Sequence, residues 1–289
     1  MFKKLVLCVM VSVLSAHAAG SVVLLNGTSS AGKSSICTEL KSLFIEDAVF
    51  WSIDYIAWAP LIEEAIRLGL IDEQMTIEEQ CEIMLKHIEQ LFLACDSQWF
   101  GRLQKLYDHV RELALTHRYV VFDTVLYDVK NKDVEYFWQQ MQGIHVFSVL
   151  IYCSPAVMAQ RVMQRNSGTA YEQKRDIISV IQSFCDLYAP AYLENEAIGI
   201  LTVREVEDAL SIIRNHLLES GTSDDLAEQK ITDLRALYLK TFFAGDQKAV
   251  AIAPRFAHDF VIHTSELPSQ ECAQLIYDEF MKRNGNAVS

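Results

Sequence analysis

Eight consecutive residues, Gly27-Thr28-Ser29-Ser30-Ala31-Gly32-Lys33-Ser34, constrain this chain more than any other feature. They match G-x-x-x-x-G-K-[ST] in full, and both flanks have the periodicity the motif requires. Ahead lies Ser21-Val22-Val23-Leu24-Leu25-Asn26, a short apolar β-branched run suited to a buried parallel strand. Behind, Ser34 to Phe44 repeats apolar residues at helical spacing. Strand, glycine turn and helix in that order make a phosphate-binding loop. Gly27 and Gly32 permit the tight turn, successive backbone N–H groups then face anion oxygens, and the positive end of the helix dipole reinforces them. Lys33 is placed to reach β- and γ-phosphates. Ser34 is placed to offer its hydroxyl to Mg²⁺, which takes hard oxygen ligands. The motif therefore gives a nucleotide-binding set of Gly27, Thr28, Ser29, Ser30, Ala31, Gly32, Lys33, Ser34 and Ser35, with ATP and Mg²⁺ as the ligands.

The rest of the chain alternates in a way that suits this start. Val49 to Ile53 reads as a strand ending at Asp54, residues 57 to 117 are helical in pattern, and Tyr119 to Phe122 is a strand ending at Asp123. Val146 to Tyr152 is a further strand, and Ser154-Pro155 opens a helix with proline in its first turn. Residues 171–243 have helical character interrupted near Ala189-Pro190 and Gly221, after which Asp259 to Ile262 and Ser269 to Met281 restore a strand and a helix. The expected fold is α/β: a three-layer P-loop NTPase arrangement with a five-stranded parallel sheet, right-handed crossovers and a large helical insertion before the last strand. Ligands then bind at the carboxyl ends of the strands. The expected organisation is a signal peptide at 1–18, a core at 19–170, an inserted lid or cap at 171–243, and the end of the core at 244–289. An insertion of that length with apolar periodicity must pack; lying over the strand ends, it excludes water and selects the acceptor.

Composition limits the partners. Hydrophobic residues make up 51% of the chain and the formal charge is −13, which speaks against nucleic acid or anionic lipid as a nonspecific partner. Lys3 and Lys4, then the apolar run Leu5 to Leu14, then Ala16-His17-Ala18 have the layout of a secretory signal cleaved near Ala18, leaving no stable membrane span. Export to the periplasm or beyond is the expectation, with a cytoplasmic protein and a start assigned too far upstream as the other reading. An exported kinase has to meet its triphosphate, and delivery into another cell's cytosol reconciles the two. Of the seven cysteines, none form C-x-x-C, so zinc and thioredoxin-like chemistry have no support, and spacing does not choose a disulfide pairing. Cys37 and Cys153 lie in apolar contexts that suit inert buried thiols. No H-E-x-x-H or G-x-S-x-G is present.

The stretch Leu25 to Ser34, with its Ser-Ser-Ala-Gly-Lys-Ser core, resembles the first strand and loop of the chloramphenicol phosphotransferase family of P-loop kinases. Ser52-Ile53-Asp54 is similar to the family's strand ending in a catalytic aspartate. Asp259 to Thr264, with Glu271-Cys272-Ala273, is similar to its final strand and helix. The resemblance implies an ATP-dependent phosphotransferase acting on a hydroxyl of a small molecule, with Asp54 as general base. A carboxylate at a strand end beside the loop can accept the proton that the attacking hydroxyl loses; the same residue can also cap the following helix or hold Mg²⁺ through water. Asp123 is the second carboxylate, placed either to bind Mg²⁺ with Ser34 or to face the acceptor. Arg161 and Arg165, four apart on one helix face, are candidates to close over the phosphates alongside Lys33 in the catalytic set. Lys174 and Arg175 are vaguer candidates. Trp51, Tyr55 and Trp58 flank Asp54 and suit either an acceptor pocket or the core, and His258 and His263 suit structural roles. The long insertion and the leader depart from the family's compact members. Hence the acceptor stays open between a small molecule and a host metabolite or protein met by an exported effector kinase. A nucleotide-binding protein without phosphotransfer, using the insertion to bind a partner, is the reading from a different class.

Overall fold

A computed structural model describes residues 20–45, 47–53, 64–72, 75, 79–80, 83, 87, 99–126, 132–166, 177–191, 197–243 and 247–287. The leader, Asp54, Tyr55, Trp58, Cys81, Cys95, Lys174 and Arg175 lie outside them.

The first strand, β1 (Ser21–Asn26), is apolar on both faces because it is covered on both. It runs parallel to β3 (Tyr119–Thr124) on one side and to β4 (His145–Tyr152) on the other. β2 (Ala48–Ser52) adds to β3 and β8 (Phe260–His263) adds to β4, also parallel, giving the order β2-β3-β1-β4-β8. Alternate side chains sort between two cores. Val22, Leu24, Val120 and Phe122 meet the helices α2 (Trp99–Thr116) and α3 (Lys132–Gln140). Val23, Leu25, Val121 and Val149 meet the layer that contains α1 (Lys33–Phe44) and α8 (Ser269–Ala287). The five-stranded parallel sheet expected from the sequence is present, with boundaries shifted by one or two residues. Asp123 lies inside β3, level with Leu25 and Ser52 in the strands beside it.

α8 closes the molecule by packing along α1. Fully buried Phe280 sits at the centre of this contact, its ring 5.7 Å from Phe44, 5.4 Å from Tyr119 and 5.7 Å from Phe147, all tilted or edge-on as aromatic quadrupoles prefer. The last helix is thus fixed by the strand that carries the phosphate loop's neighbours.

The inserted stretch is helical in α5 (Ile177–Leu187), α6 (Val203–Glu219) and α7 (Asp224–Phe242), as its periodicity implies. It also supplies two strands that helical patterning did not reveal: β5 (Tyr188–Pro190) and β6 (Gly199–Thr202) pair antiparallel with either side of β7 (Ala249–Pro254), which follows the stretch in sequence. The interruption at Ala189-Pro190 is therefore a strand. A capping box starts α6, with Glu205 N–H donating to Thr202 Oγ1 (3.1 Å) and Thr202 N–H donating to Glu205 Oε2 (2.9 Å). Arg235 of α7 grips Glu207 of α6 through two bonds of 2.8 Å. The body docks through α6, whose Val206, Ala209, Leu210 and Ile213 share one core with Met158, Ala159 and Val162 of α4 (Pro155–Asn166). No helix among the described residues is long and apolar enough to cross a membrane.

Truncating Phe280 leaves a void where three rings converge. Phe280→Ala is expected to lower unfolding free energy by about 3–5 kcal/mol in a denaturant titration.

Candidate active site

The loop after β1 is shaped by one close approach. A Cβ on Gly27 would stand 2.3 Å from the Ile151 carbonyl oxygen of β4, so only glycine lets the chain turn there. Ser30 has φ 64° and Gly32 φ 106°, which curls the loop over the start of α1. Gly32 is the N-cap of that helix, and no side chain caps it, so the first-turn N–H groups are left facing the loop's interior. Lys33 turns back across the loop. Its Nζ donates to the carbonyls of Gly27 (2.9 Å) and Thr28 (3.0 Å) and lies 3.8 Å from Asp123 Oδ1, all while only 8% exposed.

Asp123 reaches this point from the neighbouring strand, and Ser34 Oγ donates to its Oδ2 at 3.4 Å. The pairing of Ser34 with Asp123 expected for a metal is therefore a spatial one: a hydroxyl and a carboxylate, both hard oxygen donors, beside the loop. Two clefts meet here. The larger, about 390 Å³, opens between Gly32, Ser35, Arg161, Thr264 and Pro268; the smaller, about 50 Å³, is lined by Ser29, Lys33, Ser34, Asp123 and Val125. Arg165 borders both.

The two arginines of α4 differ in use. Arg161 is held by the protein: its Nη1 donates to Ala31 O (2.9 Å) and Thr264 Oγ1 (2.9 Å), and its Nη2 donates to Thr264 O (2.6 Å). Arg165, one turn further, stands at the junction of the clefts. Of the other expected residues, Thr28, Ser30 and Ala31 are buried in the loop, and Ser34 and Ser35 are exposed at the start of α1. Asp54 lies outside the described residues, two positions beyond the end of β2. Trp51 packs at the edge of the α2 side, its ring 4.7 Å from that of His109, and borders neither cleft. His263 lies against Tyr152 at 5.0 Å, away from the loop. None of the described residues of 171–243 lines either cleft; the inserted body packs on α4 through α6.

Two residues at the site escaped the sequence pattern. Asn26 bridges to the chain after β3 as a strand would, accepting from Leu126 N–H (2.7 Å) and donating to Leu126 O (3.0 Å). Its second amide hydrogen goes to His258 Nε2 at 3.0 Å, so that nitrogen must be an acceptor and the ring neutral. Burial drives the His258 pKa down to about 4. Thr264 was visible only as part of a family-like stretch, with nothing local to mark its role. Cys37 and Cys153 are free thiols in apolar surroundings, as expected, and Cys185 is a third; burial raises their pKa values to about 12, about 11 and about 12.

A phosphate loop at the tip of the central strand, a buried carboxylate at the tip of the next strand and basic side chains closing from a following helix define a P-loop kinase. The sequence profile of the family described as chloramphenicol phosphotransferase-like protein matches residues 20–179, more than half of the chain, and the protein belongs to that family. No curated protein matches it. Among solved structures, shikimate kinase from Acinetobacter baumannii in complex with shikimate aligns at 16% identity and TM-score 0.39, over 93% of this chain and 97% of that one. The Deinococcus radiodurans tunicamycin resistance protein aligns at 9% identity and TM-score 0.37, over 90% and 95%. Shikimate kinase from Bacteroides thetaiotaomicron aligns at 12% and 0.37, over 92% and 98%.

His258 provides a pH test of the loop's anchoring. The unfolded chain binds a proton on this residue near pH 6.5 and the folded chain only near pH 4. Between those values the unfolded state binds more protons, so the contribution is complete above pH 6.5 and declines as pH falls, by up to about 3 kcal/mol. Urea titrations at pH 7 and pH 4.5 should show a smaller acid loss in His258→Gln than in the parent, the carboxylates being common to both.

Proposed function

We propose that this protein transfers the γ-phosphate of ATP to a hydroxyl of a small molecule. One observation carries the reading: Asp123, 89 residues away in sequence, comes within hydrogen-bonding range of Ser34 and ion-pair range of Lys33 at the mouth of a loop whose helix N-terminus has no side-chain cap. The loop N–H groups and Lys33 bind the β- and γ-phosphates and hold them for in-line attack. The Ser34 hydroxyl and the Asp123 carboxylate suit Mg²⁺, which takes one or two protein oxygens and completes its shell with phosphates and water. When bound, the ion neutralises charge on the phosphates. Arg165, at the junction of the clefts, stabilises negative charge as the phosphoryl group moves. Asp54 takes the acceptor's proton, a role that rests on the family resemblance and on its position just past β2. The larger cleft accommodates the nucleoside.

A second reading concerns the acceptor. The described residues of the inserted body border neither cleft, which leaves their surface for another molecule, and the leader-like residues 1–18 suit export. An effector kinase acting on a host metabolite or protein fits those two features.

Incubation with γ-labelled ATP, Mg²⁺ and a pool of metabolites or host extract should label a discrete acceptor. Lys33→Ala and Asp123→Asn should each reduce that transfer by about 10²-fold or more with the circular dichroism spectrum unchanged. Full transfer in folded Lys33→Ala protein would refute phosphoryl transfer from this loop.

A further inference from the structure

Thr264 is the first residue after β8, 5% exposed, and it gathers three separate parts of the molecule. Its N–H donates to Tyr152 O at the end of β4 (2.8 Å), and its hydroxyl donates to Ala31 O in the phosphate loop (2.6 Å). Its hydroxyl oxygen and carbonyl oxygen each accept from Arg161 of α4. Arg161 reaches on to the same Ala31 carbonyl. The contacts form a closed ring: Thr264 to Ala31, Ala31 to Arg161, and Arg161 back to Thr264. Ala31 follows Ser30, the one non-glycine loop residue with positive φ, so the ring holds the carbonyl next to the point where the loop's conformation is least favoured. A hydroxyl is needed because Oγ1 must donate to one partner and accept from another at once, which an apolar side chain of the same shape cannot do.

We propose that Thr264 is a positioning residue: with Arg161 it clasps the phosphate loop in its binding conformation and fixes α4, so that Arg165 is delivered to the junction of the clefts. It touches no reacting atom. α6 of the inserted body also packs on α4, so the clasp joins the loop to the helix on which that body is mounted. The effect on nucleotide affinity rests on the ATP reading above; the effect on loop order does not.

The test uses the full chain and two readouts. Hydrogen exchange of the amides of residues 28–36 in the free protein reports the clasp directly, and calorimetric titration with Mg-ATP reports its consequence. In Thr264→Val the loop amides should exchange about 10-fold faster or more, and Kd for Mg-ATP should rise roughly 10-fold, while kcat with a labelled acceptor changes less than KM for ATP. Thr264→Ser, which keeps the hydroxyl, should restore both. Arg161→Gln opens the ring from its other side and should match Thr264→Val, and the double variant should be no worse than either single one. This second route decides the matter if Thr264→Val does not fold. Parental exchange in folded Thr264→Val or Arg161→Gln protein overturns the clasp. Faster exchange with unaltered Mg-ATP affinity overturns its role in binding. Failure of the parent protein to bind Mg-ATP overturns the nucleotide reading instead, and the exchange rates alone then decide the clasp.

Discussion

The contact between Gly27 and the Ile151 carbonyl is the constraint on which the site depends. Parallel strands β1 and β4 lie side by side, and the chain leaving β1 must cross the end of β4 at a distance that admits no Cβ. That crossing directs the loop back over the strand ends, so that Lys33 folds across it and Ser34 comes to rest against Asp123 of the strand on the other side. The phosphate-binding geometry is thus a consequence of sheet order: β1 lies between the strand that shapes the loop and the strand that supplies the carboxylate.

Polar anchoring then holds this arrangement where hydrophobic packing cannot specify direction. Asn26 imitates a strand partner for Leu126 and spends its remaining hydrogen on a neutral His258, which leaves none of the three amide-linked bonds to water. Buried polar groups satisfied in this way are costly to disturb, because removal of one partner strands the others in low dielectric. On the other side of the loop, Thr264 and Arg161 do the equivalent for Ala31. The loop is held by side chains from several strands and from α4, two of which, Arg161 and Thr264, also line the larger cleft.

The inserted body changes the architecture without changing this centre. Its α5, β5 and α7 extend the core through Phe184, Tyr188, Tyr238 and Phe242, and its attachment includes α6 on α4 and the Phe184 and Tyr188 rings on Tyr152 of β4. α4 is consequently gripped on two faces, by apolar contacts behind and by the Arg161 hydrogen bonds in front. Four-residue spacing alone gave Arg161 and Arg165 the same expected role; the packing separates them, since Arg161 is tied to Ala31 and Thr264 at the larger cleft while Arg165 borders both clefts.

The sequence by itself determined the phosphate loop, the parallel strands and the helical parts of the insertion, because each is a local pattern: glycine and lysine at fixed spacing, uniform apolar runs, or a repeat of three and four. It also named Ser34 and Asp123 as a pair, since both stand at ends of recognisable elements. Only the tertiary structure decided that β5, β6 and β7 form a second sheet, because strands of three to six residues paired across long intervals carry too little periodicity to stand out. It alone brought α6 of the inserted body onto α4 and Thr264 to Ala31 across 233 residues of chain. A hydrogen bond between distant residues leaves no mark on either residue's neighbours in sequence; it exists because the sheet closes, and the sheet closes on apolar surface that is indifferent to which polar atoms meet at its edge.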